Sequence, residues 1–171
     1  SSGTATLSNI DALDATTTTT IETALEATQK QLTHHNFTQD VDTDKYYVGF
    51  TEGDSEATAT TSSSLPIVAP VAGKLLKVFL RSNKNLNSLT FTWRLETQAG
   101  VNFGTGPSVV GTQSGAGCQN TTMTTYDFTS SLDSGDNLID AGDAVYLSIQ
   151  SGGATSSTKF YITCLWEWDL S

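Results

Sequence analysis

The chain has 171 residues and a mass of 18.1 kDa, which is enough for one domain with a hydrophobic core. Its hydrophobic fraction is low, at 37%, and its many Thr and Ser residues favour a β protein with a polar surface. The formal net charge of −10 argues against a nucleic-acid partner, because DNA and RNA are polyanions. No apolar run approaches the roughly 20 residues that a membrane-spanning helix requires, so we expect no membrane insertion.

The first 40 residues have the sequence signals of a helix. Two short patterns of a Ser or Thr followed three residues later by an acid resemble capping boxes. Ile21, Leu25 and Leu32 fall on one side of a helix, at the spacing of a coiled-coil seam. A helix this short is marginal in isolation. We therefore expect residues 1–40 to form a helical arm, helical over 16–32, whose three apolar side chains are candidate assembly contacts.

After Asp40 the hydrophobic period changes from that of a helix to that of a strand. The segments "SLTFTWRLET" and "KFYITCLWEWD" alternate strictly between apolar and polar residues. Glycine-rich stretches such as "GTQSGAG" separate these and several shorter strand patterns and indicate turns. We predict an all-β domain over residues 46–171, a β-sandwich or jelly roll of about seven or eight antiparallel strands, with a short N-terminal helical appendage. The expected inward-facing residues are Leu89, Phe91, Trp93, Leu95, Phe160, Ile162, Cys164, Trp166 and Trp168.

The segment "PIVAPVAGKLLKVFLRSN", residues 66–83, begins with two prolines that keep the chain extended. A strand is predicted from Gly73 onwards. One face of this strand is apolar, whereas the other mixes basic and apolar side chains, which is unusual for a surface that faces solvent. We interpret Lys77, Phe79 and Arg81 on the mixed face as a candidate contact with another subunit or with a shell. The apolar face contains Leu76, Val78 and Leu80, and the mixed face also contains Leu75.

The chain contains no pattern typical of an active site. Its only histidines, His34 and His35, are adjacent, and the G-x-S-x-G motif of many hydrolases is missing. The acids cluster in turns, while Glu96 and Glu167 alternate with core residues and are expected on outward faces. We therefore expect a protein that is not an enzyme and binds no cofactor.

The acidic turns leave cation binding open. Asp40, Asp42 and Asp44 begin like a calcium loop, but Lys45 and Thr51 occupy the positions where that loop requires a glycine and an acid. The alternative reading is that Asp residues suit turns because their carboxylates accept hydrogen bonds from nearby amides. A second acidic group that could gather around a cation comprises Asp133, Asp136, Asp140 and Asp143.

The two cysteines, Cys118 and Cys164, are too few for a disulfide scaffold and match no zinc motif. Cys164 lies on the predicted inward face of a strand, which favours a buried free thiol. A bridge between the two cysteines remains an alternative at this point.

The order of these segments resembles a known class of protein. "APVAGKLLKVFLRSN" and the closing "CLWEWD" are similar to the small β-sandwich modules of tailed-phage virion proteins, especially those of phages with marine and cyanobacterial hosts. In that class the module occurs in fibre-like and capsid-decorating proteins, and the resemblance covers about residues 46–171.

The resemblance implies a structural subunit without enzymatic activity on the surface of a virion, assembled in the host cytoplasm and often trimeric. Its partners would be copies of itself, the major capsid or tail proteins of the particle, and a host surface glycan. Two alternatives remain, a tail-fibre module that binds a receptor through loops 99–119 and 130–143, and a carbohydrate-binding module.

Overall fold

A computed structural model describes Thr17 and residues 29–50, 66–99, 106–129 and 139–170. These residues form two antiparallel β-sheets. No helix in this part of the chain is long and apolar enough to cross a membrane. The strands are β1 (Gln29–Gln39), β2 (Tyr46–Val48), β3 (Ile67–Val68), β4 (Gly73–Ser82), β5 (Thr90–Gln98), β6 (Ser108–Ala116), β7 (Thr124–Asp127), β8 (Ala144–Ser151) and β9 (Thr158–Trp168).

The two sheets pack face to face around one main core. Sheet A has the strand order β1-β9-β4-β7, and sheet B has the order β2-β8-β5-β6, with β3 also paired to β8. Aromatic contacts join the sheets: the ring centroids of Phe91 and Phe160 lie 5.9 Å apart, and those of Trp93 and Tyr126 lie 5.8 Å apart. The prediction of an all-β sandwich is therefore confirmed, with nine strands in the described residues instead of seven or eight.

The strict alternation in β5 and β9 places the predicted side chains in the core. Every second residue of β9 from Phe160 to Trp168 is buried, and Phe91, Trp93 and Leu95 of β5 are at most 1% exposed. The interpretation of all three tryptophans as core residues is confirmed. A side-chain period of two on a pleated strand explains this agreement.

Strand β4 departs from simple alternation at one position. The pairing between β4 and β9 shifts register between Leu75 and Lys77, so that Leu75 and Leu76 are both buried. A β-bulge of this kind inserts one residue and changes which face the following side chains occupy. The assignment of Leu75 to the mixed outer face is therefore wrong, whereas Lys77, Phe79 and Arg81 do share that face.

The sandwich begins earlier than predicted, because residues Gln29–Gln39 form β1 and not the end of a helix. This strand pairs with β9 along its entire length, from the Gln29–Trp168 pair to the Gln39–Thr158 pair. The predicted helix is thus wrong from Gln29 onwards, and Leu32 lies in a strand. Ile21 and Leu25, with the rest of the predicted helix except Thr17, lie outside the described residues.

Strand β6 was also missed, since its residues "GTQSGA" were interpreted as a turn. The core-facing positions of β6 are Gly111, Gln113 and Gly115, which pair with inward-facing residues of β5. An edge strand with two glycines on its inner face has no apolar alternation to detect. A glycine suits position 115 because a Cβ atom there would lie only 3.3 Å from the Tyr126 ring, which is a tight contact.

Candidate functional site

The predicted contact residues lie in the middle of a continuous surface, the outer A face, formed by the outward side chains of β1, β9, β4 and β7. Lys77 is directly opposite Leu165 and Asp127, while Phe79 is opposite Thr163 and Thr125. These pairs lie on one side of the sheet because directly opposed residues share a face. The members of the outer A face on the three longest strands are Lys30, Leu32, His34, Asn36, Thr38, Lys159, Tyr161, Thr163, Leu165, Glu167, Lys74, Lys77, Phe79 and Arg81.

Partly exposed apolar side chains occupy the middle of the outer A face. Leu32 is 54% exposed and Tyr161 is 46% exposed, while Phe79 and Leu165 are half-buried. Leu32 lies directly beside Leu165 on the neighbouring strand. Leu32 therefore belongs to the same surface as Phe79, although a strand and not a helix places it there.

Two ion pairs and an anchored guanidinium surround this apolar centre. Lys74 Nζ lies 2.8 Å from Glu167 Oε1, and Lys77 Nζ lies 3.1 Å from Asp127 Oδ2. Hydrogen bonds from Thr129 and Lys77 hold the pKa of the Asp127 carboxyl below its usual value. The charged groups of this surface are thus partly fixed by neighbouring strands.

A recess of about 420 Å³ adjoins the outer A face beside Tyr161. Arg81 donates hydrogen bonds from Nε (3.0 Å) and Nη2 (2.8 Å) to the carbonyl oxygen of Asn120, so its guanidinium is held at the wall of the recess. The other lining residues are Ser82 and Asn83. An exposed ring beside a fixed guanidinium can contact a planar or an anionic group.

The polar side chains of β1 explain how an edge strand without a regular apolar face stays in the sandwich. The indole N–H of Trp166 donates to Thr33 Oγ1 at 2.9 Å, and the Thr33 hydroxyl donates to His35 Nε2 at 3.0 Å. His35 Nδ1 donates to the Gly49 carbonyl oxygen at 3.1 Å. This chain of hydrogen bonds connects β9, β1 and the residue after β2. Buried polar groups are costly without such partners.

His35 makes the stability of this region depend on pH. Burial lowers the pKa of His35 below 6.5, and the nearby His34 lowers it further, while the Gly49 carbonyl opposes the shift. Because the unfolded chain binds a proton at a higher pH than the folded chain, stability falls as the pH decreases below about 6.5.

We expect the free energy of unfolding to decrease between pH 7 and pH 5, by at most about 1.4 kcal/mol per pH unit from this one group. Urea unfolding followed by Trp fluorescence measures this change. His35→Gln is the control, since a neutral amide can keep both hydrogen bonds but does not titrate. An equal pH dependence in the variant and the wild type would show that His35 is not responsible.

A second polar network, centred on Glu96, lies on the side of sheet B that faces away from the main core. Its carboxylate is fully buried and accepts hydrogen bonds from Lys45 Nζ (3.0 and 3.1 Å), Tyr47 OH (2.8 Å) and Ser148 Oγ (2.8 Å). Burial and the hydrogen bond to Glu96 raise the pKa of Tyr47. Both carboxylate oxygens are occupied, which suits a structural tie between β2, β5 and β8.

Glu96 lies on the outward side of sheet B, as expected, but its side chain is buried there and not exposed. Tyr47, Ala144 and Tyr146 form a small buried cluster of their own, separate from the main core. Tyr146 OH donates to Gln98 Oε1 at 3.2 Å on the same side of the sheet. Tyr47 is thus buried against Glu96.

The first acidic group uses its carboxylates locally. Asp42 Oδ1 accepts hydrogen bonds from the Asp44 amide at 2.8 Å and from Tyr46 OH at 2.9 Å. Within the described ranges, no group of three or more His, Cys, Asp or Glu residues is arranged to hold a metal ion. In the second group, the Asp140 amide donates to Asp143 Oδ2 at 3.2 Å. Asp133 and Asp136 lie outside the described residues.

The two cysteines are both buried and both free. The interpretation of Cys164 as a buried thiol is confirmed, and the alternative of a bridge to Cys118 is wrong. Burial raises the pKa of the Cys164 thiol to about 12. A thiol with so high a pKa is almost entirely protonated at neutral pH and is a poor nucleophile.

Comparisons with known proteins give a fold likeness only. No family model matches the chain, and no curated protein matches it. Among solved structures, the chain is similar to the Eiger TNF from S. frugiperda, with 11% sequence identity and a TM-score of 0.39 over 85% of this chain and 94% of that chain. A likeness at this TM-score does not bear on function.

Proposed function

We propose that the chain is a structural subunit of a tailed-phage virion without enzymatic activity, a surface decoration or head-fibre subunit that associates as a homotrimer. The observation that carries the proposal is the outer A face. It places four partly exposed apolar side chains, Leu32, Phe79, Tyr161 and Leu165, side by side on three hydrogen-bonded strands. The phage setting and the number three come from the sequence resemblance.

The composition of the outer A face supports an assembly role. Protein interfaces commonly have an apolar and aromatic centre inside a polar rim, and aromatic and Arg side chains contribute most of the binding energy. Here Phe79 and Tyr161 lie near the centre and Arg81 lies beside them. Paired sheet strands also hold these side chains at fixed spacings, so little conformational entropy is lost on binding.

A subunit of this kind would act on a particle because it is present in many copies. Many weak contacts that form together gain affinity through effective concentration. A subunit that binds only the assembled shell stabilises that shell by mass action. The jelly-roll connectivity of the sandwich and the attachment role of the residues before β1, including Ile21 and Leu25, belong to this proposal.

Replacing Phe79 with Ser is expected to weaken self-association by about 30-fold or more, since buried interface aromatics contribute 2 kcal/mol or more. The fold should be retained, because Phe79 is half-buried on an outer face. Sedimentation velocity over a concentration series measures the association. Val109→Ser is the control, since Val109 is 51% exposed but lies on sheet B.

Two results would contradict this prediction. Unfolding of the Phe79→Ser chain would assign Phe79 to the fold, and unchanged association would remove it from the interface. For the phage setting, mass spectrometry of purified virions should find the chain as a structural component. Virions that lack the chain would contradict the virion proposal.

A second candidate function is binding of a surface glycan. The recess beside Tyr161 favours it, because an exposed ring next to guanidinium and amide groups suits a sugar. The three tryptophans do not contribute, since Trp93, Trp166 and Trp168 are all buried. A glycan array followed by titration of wild type and Tyr161→Ala tests this function, and an array without binding would exclude it for the glycans present.

A further inference from the structure

Positive charge is concentrated on the outer A face, although the chain as a whole is strongly acidic. Five of the eight basic residues lie on this face, and Glu167 and Asp127 are the acids that accompany them on the described strands. The face thus has a formal charge of +3 in a chain of net charge −10, which leaves −13 for the remainder. The five basic residues are Lys30, Lys74, Lys77, Arg81 and Lys159.

Three of these five cations are not neutralised within the described part of the chain. Lys74 and Lys77 pair with Glu167 and Asp127, whereas no described carboxylate forms an ion pair with the other three. Arg81 is additionally held in place by the Asn120 carbonyl. The unpaired cations are Lys30, Arg81 and Lys159, and they surround the apolar centre formed by Leu32, Leu165, Phe79 and Tyr161.

From this charge distribution we infer that the occupant of the outer A face is the acidic surface of a second copy of this chain. We call this a head-to-side contact, because the outer A face of one copy meets a different surface of the next. The inference rests on the proposed self-assembly and specifies its geometry. Two copies of the outer A face placed against each other would oppose like charges, which disfavours a symmetric face-to-face dimer. Outside the outer A face, the described residues of a neighbouring copy include seven acids and three basic residues, a formal charge of −4. This oppositely charged part is available at the same concentration.

A contact between two different surfaces has a consequence for the assembly. Such heterologous interfaces close into a ring when the rotation between neighbours permits it, and otherwise continue as a filament. A rotation of 120° per subunit gives a closed ring of three. The apolar centre then provides affinity, while the unpaired cations select the acidic surface and fix the orientation of the neighbour.

The experiment compares the self-association of the purified full chain by sedimentation velocity in 0.1 M and 1 M NaCl. The screening length falls from about 10 Å to about 3 Å between these concentrations. A complementary contact is expected to weaken at high salt. General repulsion between chains of charge −10 would have the opposite effect, because screening would then strengthen association.

Two double variants of equal formal charge, −12, locate the effect on the molecule. Arg81→Gln with Lys159→Gln neutralises two of the three exposed, unpaired cations of the outer A face, whereas Thr90→Glu with Thr112→Glu adds two acids to sheet B. We expect the first variant to associate about tenfold more weakly than wild type in 0.1 M NaCl. The second variant is expected to associate at least as tightly as wild type, because it leaves the cations in place and adds acids only outside the outer A face.

The possible results separate this inference from the proposed function. Three results would overturn the head-to-side contact but leave self-assembly intact. Association could be insensitive to salt and to the first variant, it could strengthen with salt, or it could weaken equally in both variants. A monomer at every concentration in both salts overturns both. If the first double variant does not fold, the single variants Lys159→Gln and Thr90→Glu, each of charge −11, give the same comparison.

Discussion

Replacing Glu96 with Ala is expected to lower the free energy of unfolding by about 2–5 kcal/mol, since each buried donor left without its acceptor costs about 1–3 kcal/mol. The buried hydroxyls of Tyr47 and Ser148 would lose their acceptor, and Lys45 would lose its counter-ion. Urea unfolding at pH 7, followed by Trp fluorescence, measures the change. Since Lys45 precedes β2 and Ser148 lies in β8, the loss should also loosen the attachment of β2.

Asp127→Ala is the matched control for Glu96→Ala. Asp127 is also paired with a lysine, but its side chain is 43% exposed. An exposed pair contributes at most about 1 kcal/mol, so this variant should remain close to wild type. Similar losses in the two variants would show that burial of the Glu96 network does not determine its contribution.

The second large effect is expected at Gly117, where the backbone approaches another segment closely. A Cβ atom at this position would lie 2.0 Å from the carbonyl oxygen of Leu86 and 3.0 Å from that of Leu89. The Gly117 amide also donates to the Leu89 oxygen at 2.6 Å. Both obstacles are backbone atoms, so the two segments must separate to admit a methyl group.

Gly117→Ala should therefore destabilise the fold by about 2–4 kcal/mol, the range for overpacking that also disrupts buried hydrogen bonds. Thermal unfolding followed by circular dichroism measures the loss. Gly152→Ala is the control, since its nearest neighbour, the Thr90 carbonyl oxygen, would lie at an ordinary contact distance of 3.6 Å from the new Cβ. A Gly117→Ala protein as stable as the Gly152→Ala protein would contradict this packing.

The sequence was informative wherever one face of a strand is uniformly apolar. The inward residues of β5 and β9 were predicted correctly because a pleated strand alternates its side chains between two faces. The same rule correctly grouped Lys77, Phe79 and Arg81. It failed at Leu75, because a bulge in β4 shifts the register and no local residue type signals the shift.

Strand β1 shows why other parts could not be predicted. Its inward residues Gln31 and Thr33 are polar and receive hydrogen bonds from the indole N–H groups of Trp168 and Trp166, which come from the other end of the chain. Partners so distant in sequence are invisible to a periodicity argument. The spacing from Ile21 to Leu32 suggested a helix, and pairing of Leu32 with Leu165 outweighed that local signal.

Glu96 was missed for a related reason. Alternation shows which side of a sheet a residue occupies, but it does not show whether that side is covered. The signal that could have suggested burial was a lysine and a tyrosine two residues apart, Lys45 and Tyr47, which on a strand share a face and can together donate to a carboxylate. The charge segregation on the outer A face likewise required the pairing of β1, β9 and β4, since Lys30 and Lys159 are far from Arg81 in sequence.

Hydroxyl-radical footprinting of the purified chain, at concentrations below and above its self-association, tests the outer A face as the assembly surface most directly. The account predicts that Leu32 and Tyr161, which are 54% and 46% exposed in the single chain, become protected on association. Val68 and Val109 of sheet B, at 66% and 51%, give the comparison for the other sheet. Unchanged reactivity of Leu32 and Tyr161 in the associated state would contradict the account.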